Sequence, residues 1–128
     1  MKYLVDTDRA IDWLNGRPEA VEFISALAPE GLGLSLLSLG ELWEGIHFSD
    51  DPMANERGLR RFLRIADVLP LNRAIMKRFA QIRGQLRRDG NLIGDMDILI
   101  AATALHHDLV LLTRNVRHFE RIPGVQLG

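Results

Sequence analysis

Cysteine is absent from the 128 residues, which excludes disulfides, thiolate metal sites and a cysteine nucleophile and fits a reducing compartment. No uncharged run approaches the roughly 20 residues that a membrane-spanning helix needs. The opening Met1-Lys2-Tyr3-Leu4-Val5-Asp6 offers no basic region followed by a long apolar segment, so the sequence predicts neither export by that route nor a membrane partner. The cytoplasm is the expected compartment. Internal repeats, linkers and low-complexity tracts are missing. So are a glycine-rich phosphate loop and a serine elbow with a spaced histidine, which excludes P-loop and serine-nucleophile chemistry.

What remains is one expected domain, residues 1–128, with 47% hydrophobic residues to build a single core. The formal net charge is only −1, but residues 1–56 hold 11 acids and 3 bases, residues 57–88 hold 1 acid and 10 bases, and residues 89–128 hold 5 acids and 3 bases. A basic middle segment beside acidic flanks suits an enzyme that handles a polyanion. Two helices with solvated arginine-rich faces would give the same composition.

Short apolar runs alternate with helical patterns. Lys2 to Val5, Leu32 to Ser35, Val68-Leu69-Pro70, Leu109 to Thr113 and Val125 to Leu127 read as strands. Helices are expected from Thr7 or Asp8 to Leu14, from Pro18 to about Pro29, from Ser38 to Asp50, through two arginine-rich stretches after Pro52, and from an Asp95 cap to about His107. A short one should follow around Val116 to Arg121. The alternation predicts an α/β fold with a parallel central sheet covered on both faces, and a ligand site beyond the carboxyl ends of the strands.

Acidic residues stand where apolar neighbours make them costly. Asp6 ends Tyr3-Leu4-Val5, Glu41 lies inside Leu34 to Trp43, and Asp95 and Asp97 precede Ile98 to Leu105. Burying ionised carboxylates costs several kcal/mol unless a partner offsets it, and no lysine or arginine is spaced to serve all four. A hard divalent cation, Mg²⁺ or Mn²⁺, is the economical partner, which points to phosphoryl transfer or hydrolysis. Asp6, Glu41 and Asp97 are the expected ligands. Asp97 lies four residues before Ala101 and so shares the sheet-facing side of its helix, whereas Asp95 reads better as a cap. The Asn115 amide, at the end of the fourth strand, is a further candidate for the cation or for a water bound to it. Glu41 has a second reading as the partner of Ser38 in a capping box. The histidines, His118 included, read as surface or helix-end residues, and Trp13 and Trp43 as core.

Tyr3-Leu4-Val5-Asp6-Thr7-Asp8, Ser38-x-x-Glu41-Leu42, Ile93-Gly94-Asp95-Met96-Asp97-Ile98-Leu99-Ile100-Ala101-Ala102, and Leu112-Thr113-Arg114-Asn115 through Val125 together resemble PIN-domain proteins. More narrowly, the chain is similar to VapC-type toxins of toxin–antitoxin pairs. The resemblance implies a three-layer α/β/α fold and a Mg²⁺- or Mn²⁺-dependent endoribonuclease. It also implies homodimerisation and inhibition by a VapB-type antitoxin whose tail covers the acidic pocket. By motif position the acids are Asp6, Glu41 and Asp97. The family's fourth acid falls at Asn115, a departure that weakens the case for a second tightly held cation unless Asp95 replaces the charge. Asp8 stands where many relatives have asparagine or serine. The expected reaction is attack of a cation-activated water on an RNA phosphodiester, leaving a 5′-phosphate and a 3′-hydroxyl. Arginines of residues 57–88 would hold the strand, with Arg9 or Arg114 near the scissile phosphate. Two rivals are a binding module that only engages an antitoxin and a haloacid-dehalogenase-like phosphatase, which Val5-Asp6-Thr7-Asp8 also resembles. The phosphatase needs a downstream lysine, and none follows Lys77.

Overall fold

In the computed structural model, which describes residues 1–128, five short strands form a wholly parallel sheet. They are β1 (Tyr3–Val5), β2 (Leu32–Ser35), β3 (Ala66–Leu69), β4 (Val110–Leu112) and β5 (Gln126–Leu127), in the spatial order β3-β2-β1-β4-β5. Tyr3 pairs with both Leu32 and Val110, so the first strand lies at the centre of the sheet. Parallel sheets need cover on both faces, and successive residues of each strand supply it. Val5, Leu34 and Leu112 turn to one apolar cluster, while Leu4 and Leu111 turn to the other.

Over the first face lie α1 (Thr7–Leu14), α2 (Pro18–Leu27), α3 (Leu36–His47) and α4 (Pro52–Phe62). They contribute Ala10, Ile24, Leu42, Ile46, Leu59 and Phe62 to its cluster. Trp13 packs edge-on against Phe62 at 5.2 Å, the expected core role. Over the second face lie α5 (Arg73–Arg88), α6 (Asp95–His106) and the single turn α7 (Val116–Phe119). Ala101, Ala102 and Ala104 are fully buried. Their small side chains let α6 sit close to both the sheet and α5, and the result is the three-layer α/β/α arrangement that the family resemblance implies. No helix is long and apolar enough to cross a membrane.

Three helix starts differ from the sequence reading. Helix α3 begins at Leu36 because Ser35, not Ser38, is its cap: the Ser35 Oγ accepts from the Ser38 N–H at 3.0 Å. Gly94 holds the N-cap position of α6, and Asp95 is its first helical residue. Asp6, rather than Thr7 or Asp8, caps α1. Strand β3 starts two residues early, at Ala66, because the strand pairs with β2 from Leu32 onward. Gly31 (φ 95°) turns the chain into β2, and a Cβ there would stand 2.5 Å from the Met1 Cα.

Candidate active site

At the carboxyl end of the sheet, Asp6 follows β1 and is only 5% exposed. Its Oδ1 accepts from the Thr7 N–H at 2.8 Å, and its Oδ2 accepts from the Thr113 hydroxyl, just past β4, at 2.7 Å. Burial pushes the Asp6 carboxyl up to about 6. The charges of Asp8 and Asp97 push the same way, against the two hydrogen bonds. Asp97, in the first turn of α6, thus belongs to the same electrostatic cluster as Asp6.

Glu41 joins through hydroxyls. The Thr7 Oγ1 donates to the Glu41 Oε1 at 2.7 Å and lies 2.9 Å from the Ser38 Oγ, itself 3.1 Å from the Ser35 Oγ. A carboxylate can only accept, so each hydroxyl hydrogen in this chain points on toward Glu41. The capping box of Ser38 with Glu41 is not formed, because Glu41 serves Thr7 and Ser35 serves the helix end.

The remaining candidates divide. The Asn115 Nδ2 lies 2.7 Å from the His118 Nδ1, and the same ring nitrogen lies 3.0 Å from the Asp97 Oδ2. His118 is therefore a site residue that the sequence reading set aside as a surface histidine. Asp95 goes elsewhere: its exposed carboxylate pairs with the Arg83 Nε at 2.9 Å. Arg114 pairs with Asp12, which is 6% exposed and also faces Arg17 at 3.4 Å. Arg9 stacks its guanidinium on Phe23 at 5.2 Å. Neither arginine stands free over the acids.

Asp8 lies outside the ligand set that the sequence predicts, yet it belongs to the site. Its Oδ2 accepts from the Arg114 backbone N–H at 3.0 Å, but its Oδ1 is buried without any hydrogen-bond partner. As the side chains stand, no three aspartate, glutamate or histidine groups close around one point at ligand distance. The donor set nonetheless fits a hard cation: the acids are oxygen ligands, Asp6 is held against its preference for protonation, and a buried Asp8 oxygen lacks a donor. Beside Glu41 a groove of about 360 Å³ opens between α1, α3 and α4, lined by Ile11, Leu14, Leu42, Gly45 and Arg61.

The family model for the PIN domain matches residues 3–125. Among curated proteins, the tRNA(fMet)-specific endonuclease VapC of Salmonella typhimurium is 32% identical over 127 residues, 99% of this chain and 96% of the relative. Among solved structures, DNA-bound VapBC from Salmonella typhimurium superposes with a TM-score of 0.93 at 31% identity, covering 100% of this chain and 97% of the other. A toxin–antitoxin complex from Klebsiella pneumoniae superposes with a TM-score of 0.78 at 30% identity, covering 97% and 95%.

Proposed function

Since the chain belongs to the PIN-domain family, we propose that residues 1–128 act as one domain, a metal-dependent endoribonuclease that serves as the toxin of a VapBC-type pair. The observation that carries this reading is the gathering of Asp6, Asp8 and Asp97 at one end of the sheet, with a buried Asp8 oxygen that no protein group satisfies. Asp6, Glu41 and Asp97, with Asp8, would hold Mg²⁺ or Mn²⁺. Such a cation, when bound, supplies an activated water and a Lewis acid for phosphodiester hydrolysis.

The chain's own groups set the geometry. Thr113 and the Thr7 N–H fix both oxygens of Asp6, the hydroxyl series from Ser35 fixes Glu41, and His118 faces Asp97. The RNA substrate fits a cytoplasmic protein. The groove beside Glu41, apolar along its walls and basic at Arg61, suits a segment of a VapB-type antitoxin, and a homodimer is the expected working form.

The test is incubation of the purified chain with single-stranded RNA and with the initiator transfer RNA named for the Salmonella relative. Cleavage should require Mg²⁺ or Mn²⁺ and leave 5′-phosphate ends. Chelation, Asp6→Asn and Asp97→Asn should each reduce the rate by at least ~100-fold, beyond the ~10–100-fold that loss of a ligand-orienting partner costs. Cleavage that persists through all three would remove the assignment.

A further inference from the structure

We propose that the outer face of α5 is the surface along which the RNA backbone lies, and that α4 takes no part in holding it. This rests on the ribonuclease reading and adds where the substrate docks. The basic segment of the sequence is not one surface. Strand β3 divides it, so that α4 packs Leu59 and Phe62 on one face of the sheet and α5 packs Leu86 on the other.

The two helices use their cations differently. On α4, Arg60 is neutralised by Glu56 at 2.8 Å and Arg61 lines the groove beside Glu41, which leaves Arg57 as the one exposed cation of that helix with neither a carboxylate nor the groove. Helix α5 has no acid between Arg73 and Arg88 but carries six bases: Arg73, Lys77, Arg78, Arg83, Arg87 and Arg88. Only Arg83 has a carboxylate partner, Asp95. Arg73, Lys77, Gln81 and Arg88 are exposed and recur at helical spacing, a ridge opposite the buried Ile75 and Leu86. Like charges four residues apart weaken a helix, and a polyanion laid along the ridge relieves that repulsion.

The ridge also leads to the acids. Asn72, at the start of α5, meets His106, at the end of α6, while Arg83 meets Asp95, in the first turn of α6. The two helices are therefore antiparallel, and the last turns of α5 stand beside the turn that carries Asp97. From there the ridge runs outward for roughly 22 Å, at about 1.5 Å per residue. It offers a phosphate backbone positive potential on its way to a hollow that would otherwise repel it.

The experiment uses the full chain with Asp97→Asn, so that RNA is bound but not cut, and reads anisotropy of an end-labelled single-stranded RNA between about 50 and 200 mM salt. Arg73→Gln with Lys77→Gln and Arg88→Gln should weaken binding alike for RNAs of different sequence. It should also flatten the dependence of log affinity on log salt by about 2, at roughly 0.7 for each phosphate no longer neutralised. Arg57→Gln with Arg64→Gln, at the α4 side, should change neither, and lysine in place of Arg73 and Arg88 should keep the parent slope. Four results would overturn the proposal: an unchanged slope in the α5 variant, an equal loss in the α4 variant, no RNA binding by the Asp97→Asn parent, or a change in sedimenting mass that gives this face to a second copy. Failure of the unsubstituted chain to cleave RNA would count against the nuclease reading alone, since the binding slopes judge α5 independently.

Discussion

Asp6 and His118 show what single side chains contribute. Because the folded state raises the Asp6 carboxyl to about 6 from 3.8, the native chain binds this proton more tightly than the unfolded chain does. The stabilising contribution of the neutral form is therefore complete below the unfolded value. It is lost as pH rises through about 6. Without added metal, Asp6→Asn should melt higher than the parent at pH 7, and the gap should close toward pH 4, at ~3 °C per kcal/mol for a domain of this size. Thermal melts across that range check it, and saturating Mn²⁺ should narrow the gap at pH 7 by stabilising only the parent. His118 faces Asp97 through Nδ1, and a carboxylate oxygen gives no hydrogen, so Nδ1 carries the hydrogen and Asn115 must offer its carbonyl oxygen to the ring. His118→Leu should then weaken Mn²⁺ binding ~10–100-fold. His118→Asn, whose amide nitrogen can replace Nδ1–H, should restore most of it, read by calorimetric titration.

Among the elements, the hydrophobic pattern made the strands and most helices legible. The capping residues were not, since Ser35 and Ser38 are chemically equal and only the backbone turn at the end of β2 decides between them. Ser35→Ala removes the α3 cap and the first hydroxyl of the series reaching Glu41. It should cost ~1–2 kcal/mol in denaturant unfolding and reduce cleavage as well. Asp6, Glu41 and Asp97 could be read because an acid in apolar company demands a reason. His118 could not, because an imidazole on a four-residue helix looks like any surface group until α7 is docked on α6. Its spacing from Asn115, i to i+3, was the available signal. Asp8 escaped notice because the cost of its unpartnered oxygen appears only with burial. The basic run from residue 57 to 88 looked continuous because one-dimensional charge carries no record of which sheet face each helix covers.

At the level of the whole molecule, the groove between α1, α3 and α4 gives a test of the antitoxin reading that changes no acidic residue, although Glu41 lines the same groove. Gly45 lines it, and a Cβ added there would meet nothing within 4 Å. Gly45→Leu should therefore fold normally and cleave RNA at the parent rate. It should also need at least ~10-fold more antitoxin for inhibition, a loss of about 1.4 kcal/mol.

Thr113 grips Asp6 across 107 positions of sequence, and β1, at the middle of the sheet, pairs with β4, which is made long after it. A chain emerging from the ribosome thus lacks the closed acidic site until β4 and Thr113 have been added. Termination ahead of Val110 should yield a fragment that cells tolerate. The interval between the emergence of β1 and the making of Thr113 is a window in which an antitoxin already present can meet its toxin before any RNA is cut.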